Sequence, residues 1–220
     1  EQGPNIVVIG GGTGLNTVLT GLKNYTNNIT AIVTISDYGK MPTNSRTQLQ
    51  MLPLGDVKDS IIALSTKEEE MDKLFNYEFR RGVLNGLSFA DIYFSAMKEI
   101  NQDFTDSIMK SSEVLNIVGK VLPVTLDEMK IMAELENGYM VEEKDKIPEI
   151  VSEKVTKIHR ILLNPSNCRP APGVIEAIEN ADSIIIGPGS LYTNVIPNLL
   201  VNGVSKAIKE SKAIKVYISN

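Results

Sequence analysis

Apolar and polar positions along this chain follow two rhythms. Short apolar runs, Ile6-Val7-Val8-Ile9 and Ser183-Ile184-Ile185-Ile186, read as strands covered on both faces, the habit of a parallel sheet, and Ile29–Ile35, apolar but for Thr30 and Thr34, reads as the second strand. Elsewhere apolar residues recur at helical spacing: Phe89, Ile92, Tyr93, Ala96 and Ile100 place a helix over Ser88–Ile100. The first run stops at Gly10-Gly11-Gly12-Thr13-Gly14-Leu15, because consecutive glycines do not sit cheaply inside a strand or helix. A helix over about Leu15–Leu22 follows. Together with the run Ile29–Ile35 this predicts a βαβ unit with a parallel crossover.

The pattern then continues through several elements. Pro53-Leu54-Gly55-Asp56 turns into a helix ending near Leu64, for which Asp56 is a candidate N-cap. Lys67–Asn116 reads as helices, including a charged one at Lys67 and one over Asp103–Leu115. A strand is predicted at Val118–Thr125. Asn137-Gly138 between Lys130–Leu135 and Tyr139–Val141 is a hairpin signal, so an antiparallel excursion is expected at about Leu126–Val155. Ile158–Leu163 is a strand stopped by Asn164-Pro165. A short helix Gly173–Asn180, a fully buried strand Ser183–Ile186, a helix from about Pro197 to Ser211 and a last strand Lys215–Ser219 complete the chain. The fold class is α/β: a Rossmann-like, mostly parallel sheet with helices on both faces and a small β-hairpin insertion, all in one domain spanning 1–220.

Composition narrows the function classes. A net charge of −5 offers no basic stripe for phosphates of nucleic acid, so no nucleic-acid partner is expected. No apolar run approaches a membrane span. The chain opens on Glu1-Gln2-Gly3-Pro4 rather than a basic and apolar leader, and its single cysteine, Cys168, fits a reducing compartment; a cytoplasmic location is expected. A single histidine, His159, excludes a His-rich zinc site and makes a Ser-His-Asp triad a poor fit.

The candidate chemistry lies in the glycine turns. Gly10–Gly14 leaves backbone N–H groups unshielded at a helix start, which suits phosphate. Leu15 stands where G-x-G-x-x-G requires its third glycine, so the turn does not complete the dinucleotide fingerprint. Asp37, at the tip of the second strand, is either a ribose ligand or a turn-starting residue. Lys40 and Arg46 are the cations of a long polar stretch, Tyr38–Leu54, and either could reach a phosphate. Asp56 is either the helix cap or, with Asp37, a holder of Mg²⁺. Gly187-Pro188-Gly189-Ser190-Leu191-Tyr192-Thr193 repeats the logic of the first turn after another buried strand, making the two turns walls of one crevice at the carboxyl edge of the sheet. Ser190 reads as a cap or a hydrogen-bond donor to a ligand.

These blocks, with Pro53-Leu54-Gly55-Asp56-Val57, Val121-Leu122-Pro123-Val124-Thr125 and Ala181-Asp182-Ser183, resemble the gluconeogenesis-factor family, which is related to the 2-phospholactate transferases. The resemblance covers nearly the whole chain and is most specific at Gly187–Thr193. It implies a Rossmann-like fold and a ligand carrying a nucleoside diphosphate. In the regulatory branch that ligand is a nucleotide sugar of the uridine-diphosphate type, and the output is control of central carbon metabolism, cell-wall synthesis and cell shape. In the transferase branch Mg²⁺ assists transfer from a guanosine-diphosphate-linked phospholactate. The expected ligand-binding residues are Gly10, Gly11, Gly12, Thr13, Gly14, Asp37, Arg46, Asp56, Asn164, Gly187, Pro188, Gly189, Ser190, Leu191 and Thr193. Catalysis, if present, would rest on Asp37 and Asp56, with Mg²⁺ between them and Arg46 or Lys58 beside the developing charge. A nicotinamide-dependent oxidoreductase is a third reading.

This sequence departs from the family pattern in three places. Asp37–Arg46 replaces Asp-Asp-Gly-Gly-Ser-Ser-Gly-Arg-Leu-Arg and keeps only the first Asp, the first Gly and the last Arg. Gly82-Val83-Leu84-Asn85-Gly86-Leu87 stands for Gly-His-Ser-Leu-Gly-Asn, without its His and Asn. Family members usually continue beyond the last strand, so a C-terminal part of the domain is expected beyond Asn220. The sequence also allows a homodimer through helices.

Overall fold

The computed structural model describes residues 3–34, 54–101, 104–142, 146–153 and 156–219. Five parallel strands form the main sheet: β1 (Ile6–Gly10), β2 (Ile29–Val33), β3 (Lys120–Pro123), β7 (Ser183–Ile186) and β8 (Ile214–Tyr217), in the order β3-β2-β1-β7-β8. A second, antiparallel sheet holds β4 (Lys130–Leu135), β5 (Met140–Val141) and β6 (Ile158–Asn164), in the order β5-β4-β6. The chain is therefore α/β, with a mostly parallel sheet and a small antiparallel one.

Alternation along the central strands divides the core into two layers. Val7 and Ile9 of β1, Ile32 of β2 and Leu122 of β3 face one cluster, which continues into the antiparallel sheet, α7 (Val174–Glu179) and α9 (Val204–Glu210). Val8, Ala31, Val33 and Val121 face the other, built with α1 (Gly12–Leu22), α2 (Gly55–Leu64), α3 (Glu68–Phe75) and α4 (Phe89–Asn101). Covering both faces is what lets β1 and β2 be apolar on both sides, with Thr30 the one polar side chain in them. Between these helices and β3 runs α5 (Phe104–Val114). A short helix, α6 (Ile147–Glu153), lies between β5 and β6.

Several elements differ from their sequence expectation. The first helix begins at Gly12, not Leu15, because Gly11 is still extended and the chain turns into the helix at once. Strand β7 is only partly covered: Ile184 is buried, while Ile185 and Ile186 are half-buried beside the exposed edge strand β8. The helix expected over Pro197–Ser211 is two, α8 (Ile196–Leu200) and α9, because Val201 is extended and Gly203 takes a left-handed φ of 82°. The break is held by the Asn202 N–H, which donates to the Cys168 carbonyl at 3.0 Å. Strand β6 pairs with β4, from Lys130 opposite Asn164 to Leu135 opposite Ile158, so the antiparallel unit uses residues through Asn164. His159 is an exposed strand-face residue on β6.

Candidate functional site

Strand order positions the site. From β1 the sheet grows outward through β2 and β3; from β7 it grows the other way to β8. The order reverses between β1 and β7, and in open α/β sheets such a reversal opens a crevice at the carboxyl ends of the strands. The two strands flanking this reversal are the two that end in glycine turns.

The turns interlock rather than facing each other across a gap. The Gly187 N–H donates to the Ile9 carbonyl at 2.8 Å. A Cβ placed on Gly189 would lie 2.8 Å from the Gly11 carbonyl oxygen, and one on Gly14 would lie 3.1 Å from Pro188 Cγ. Glycine at Gly189 thus permits a backbone approach to Gly11 that no side chain would survive. Gly12 is the exception. Its φ is 72°, and among the described residues a Cβ there would meet nothing within 4 Å, so Gly12 borders space that no described side chain fills. The open side of the cradle is here, at the first residue of α1, where the helix dipole favours an anion.

Asp56 reaches into this turn. Its Oδ1 accepts from the Gly12 N–H at 3.2 Å. Its Oδ2 accepts from Thr34 Oγ1 and from Asn194 Nδ2, each at 3.5 Å. The capping expectation is corrected: the N-cap position of α2 is Leu54, with no side-chain cap, and Asp56 lies inside the first turn. Its carboxylate is drawn across to Gly12 while still meeting the positive end of α2.

The segment after the second turn is a π-turn, Leu191–Val195, running into α8. The Ser190 carbonyl accepts from the N–H groups of Asn194 (2.8 Å) and Val195 (3.1 Å), while the Ser190 side chain makes no cap bond. Such widened turns frequently mark functional sites. Leu191 and Tyr192 are exposed, and Thr193 Oγ1 donates to Asn194 Oδ1 at 3.1 Å.

The structure therefore brings together Gly10–Gly14, Asp56 and Gly187–Thr193. Asn164 ends β6 opposite Lys130, in the other sheet. Asp37, Lys40 and Arg46 lie outside the described residues. Lys58 donates to Asn76 Oδ1 at 2.6 Å and is engaged away from the turns. The block Gly82–Leu87 begins with a single 3₁₀ turn, Gly82–Leu84, closed by Phe79 and Leu87 pairing and the Glu78–Ser88 bridge. Thr34, Asn194 and Asn198 belong to the site and were missed in the sequence. The asparagines carried a faint signal, an Asn-x-x-x-Asn repeat at one helical turn directly after the glycine block.

Among the described residues one carboxylate at these turns, that of Asp56, could hold a magnesium ion. Among the described residues no group of three or more His, Cys, Asp or Glu could bind a metal ion. One carboxylate fits Mg²⁺ only where ligand phosphates and water supply the other oxygens.

Comparison with known proteins now decides the family. Residues 6–220 match the family described as 2-phospho-L-lactate transferase CofD. A putative gluconeogenesis factor of Thermoanaerobacterium thermosulfurigenes is 50% identical over the whole of this chain and 68% of its own length. The gluconeogenesis factor of Bacillus subtilis is 41% identical over the whole of this chain and 68% of its own.

The chain belongs to the CofD family, on its gluconeogenesis-factor branch.

A crystal structure of a family protein from Bacillus halodurans superimposes with a TM-score of 0.87 at 43% identity, over all of this chain and 70% of that one. Against a putative gluconeogenesis factor of Clostridium acetobutylicum the chain is 46% identical but spans 49% of its length. The chain thus spans from about half to about two thirds of its curated relatives. No helix among the described residues is long and apolar enough to cross a membrane.

Proposed function

We propose that this chain is the ligand-binding part of a cytoplasmic regulator of the gluconeogenesis-factor kind, and that it binds a uridine-diphospho-sugar at the two glycine turns without turning it over. The observation that carries this reading is the open side of Gly12 at the sheet's reversal point. There the N-terminal end of an 11-residue helix presents its dipole to a space that no described side chain fills. A diphosphate is the anion that suits such a cradle, with sugar and base extending to either side. The output assigned to it in this reading is control of carbon metabolism, cell-wall synthesis and cell shape, and the likeness to gluconeogenesis factors supports the first of these.

A thermal-shift series tests it. Uridine-diphospho-N-acetylglucosamine at about 100 times its Kd should stabilise by about 2.7 kcal/mol, and the free sugar should do nothing. No shift at millimolar nucleotide sugar would sink the reading.

One observation favours a second reading, a Mg²⁺-assisted transferase of a phosphate-containing group. Asp56 places a carboxylate on the Gly12 N–H, where a phosphate alone would be repelled and a cation between the two would not. Product formation from a guanosine-diphosphate-linked donor, lost in Asp56→Ala, would favour this reading over the first.

A further inference from the structure

Four hydrogen bonds close a ring around Gly11. Asn198 Nδ2 donates to the Gly10 carbonyl at 3.2 Å and to the Asn194 carbonyl at 2.6 Å. Asn194 Nδ2 donates to Asp56 Oδ2, and Asp56 Oδ1 accepts from the Gly12 N–H. The ring begins and ends on the peptide groups on either side of Gly11. It also fills the space a Gly11 side chain would need, since a Cβ there would lie 2.6 Å from Asn194 Nδ2 and 2.8 Å from Asp56 Oδ2.

The orientation of Asn198 is forced. Two carbonyls face one end of its amide, and only the NH₂ end can donate to them; a flipped amide would set its oxygen against both. The other end, Oδ1, is then buried with no hydrogen-bond partner among the described residues, in a side chain 0% exposed. A buried orphan acceptor is unfavourable, so a smaller or apolar residue would suit the packing better. What the asparagine supplies instead is a double donor at the base of the cradle. The π-turn sets the spacing, carrying Asn194 toward Asp56 while Asn198, four residues on, reaches Gly10.

We infer that Asn194 and Asn198 are positioning residues for the glycine cradle: acting through Asp56 and the Gly10 carbonyl, they hold Gly10–Gly12 in the conformation that leaves Gly12 open to ligand. The effect on ligand affinity rests on the nucleotide-sugar reading; the effect on the turn itself does not. Asn198→Leu keeps the branched shape of the side chain and removes both donated bonds. Asn194→Ala, at a half-buried position, opens the ring from its other end and covers the case in which Asn198→Leu does not fold.

Two measurements on the same samples decide the matter. Amide hydrogen exchange over residues 10–15 should quicken about tenfold in either variant, the loss of roughly one net hydrogen bond, while β2 and α9 exchange as in the parent chain. The Kd for uridine-diphospho-N-acetylglucosamine should rise about tenfold. Unchanged exchange at residues 10–15, or an equal rise everywhere, overturns the inference. A parent chain that does not bind the nucleotide sugar sinks the ligand reading alone, and exchange still decides the ring.

Discussion

At the scale of single residues, the glycines of the two turns are not equivalent, and the differences can be measured. Gly189 combines a φ of 151° with a backbone oxygen 2.8 Å from its missing Cβ, and neither can yield. Gly189→Ala should cost about 3 kcal/mol or more. Gly11 is extended, so Gly11→Ala suffers only the clash with two side-chain ends. Those ends can move at the expense of the ring, for about 1–2 kcal/mol. Gly12→Ala carries a left-handed φ but meets no described atom, and about 1 kcal/mol is expected. Urea unfolding of the three variants should return that ranking; Gly12→Ala as the most damaging would contradict it. Four glycines at 10–14 were legible as a turn from the sequence. Which of them contacts backbone, which contacts side chain and which faces the cleft was not, because their neighbours are contributed from 44 to 188 residues away.

Among the elements, α1 and α2 are held together by an unusual cap. Lys23, at the C-cap of α1, donates from Nζ to the carbonyls of Ala63 (2.7 Å) and Ser65 (2.8 Å) at the end of α2, and to Glu68 Oε2 at 2.7 Å. Its side chain is 13% exposed, so these bonds are shielded from water. The cation also meets the negative end of α2. Lys23→Met should lower stability by about 1–2 kcal/mol, read as a fall in the urea midpoint, and Lys23→Arg should restore part of it. A larger loss belongs to Phe75, fully buried in α3 against Phe89, Tyr93 and Phe94 at ring separations of 5.5–6.0 Å. Phe75→Ala should cost about 3–5 kcal/mol in the same assay. Helices with a clear apolar period were readable in advance, as over Phe89–Asn101. The break between α8 and α9 was overlooked although Asn202-Gly203 is a turn pair, because the flanking residues keep a helical period across it.

For the molecule as a whole, the one buried thiol ties stability to alkaline pH. Cys168 is fully buried where the chain leaves β6, with its Sγ donating to the Pro165 carbonyl at 3.0 Å. Burial first, and the nearby Asp127 carboxylate second, raise its pKa above the ordinary thiol value. The folded state therefore keeps the proton longer than the unfolded one. That stabilisation is fully present below the ordinary thiol pKa and is lost as pH rises through the raised folded value. Urea midpoints measured from about pH 8 upward should fall, and Cys168→Ala should flatten the decline. A parent chain whose midpoint is flat over that range would refute the linkage.

The sequence by itself determined that the sheet is parallel and that its central strands are covered on both faces, since Ile6–Ile9 and Ile29–Val33 place apolar residues on both sides. It also determined that β1 and β7 end in glycine turns, and a hairpin at Asn137-Gly138. These are local facts, written in periods of two or 3.6 and in residues that permit unusual backbone. Only the tertiary structure decided that β1 and β7 are neighbours, that their turns interlock, and that Asp56, Asn194 and Asn198 form one ring beneath them. The reason is physical. A hydrogen bond between Gly10 and Asn198 leaves no periodic trace in the chain, because it arises from packing that closes a loop of 188 residues.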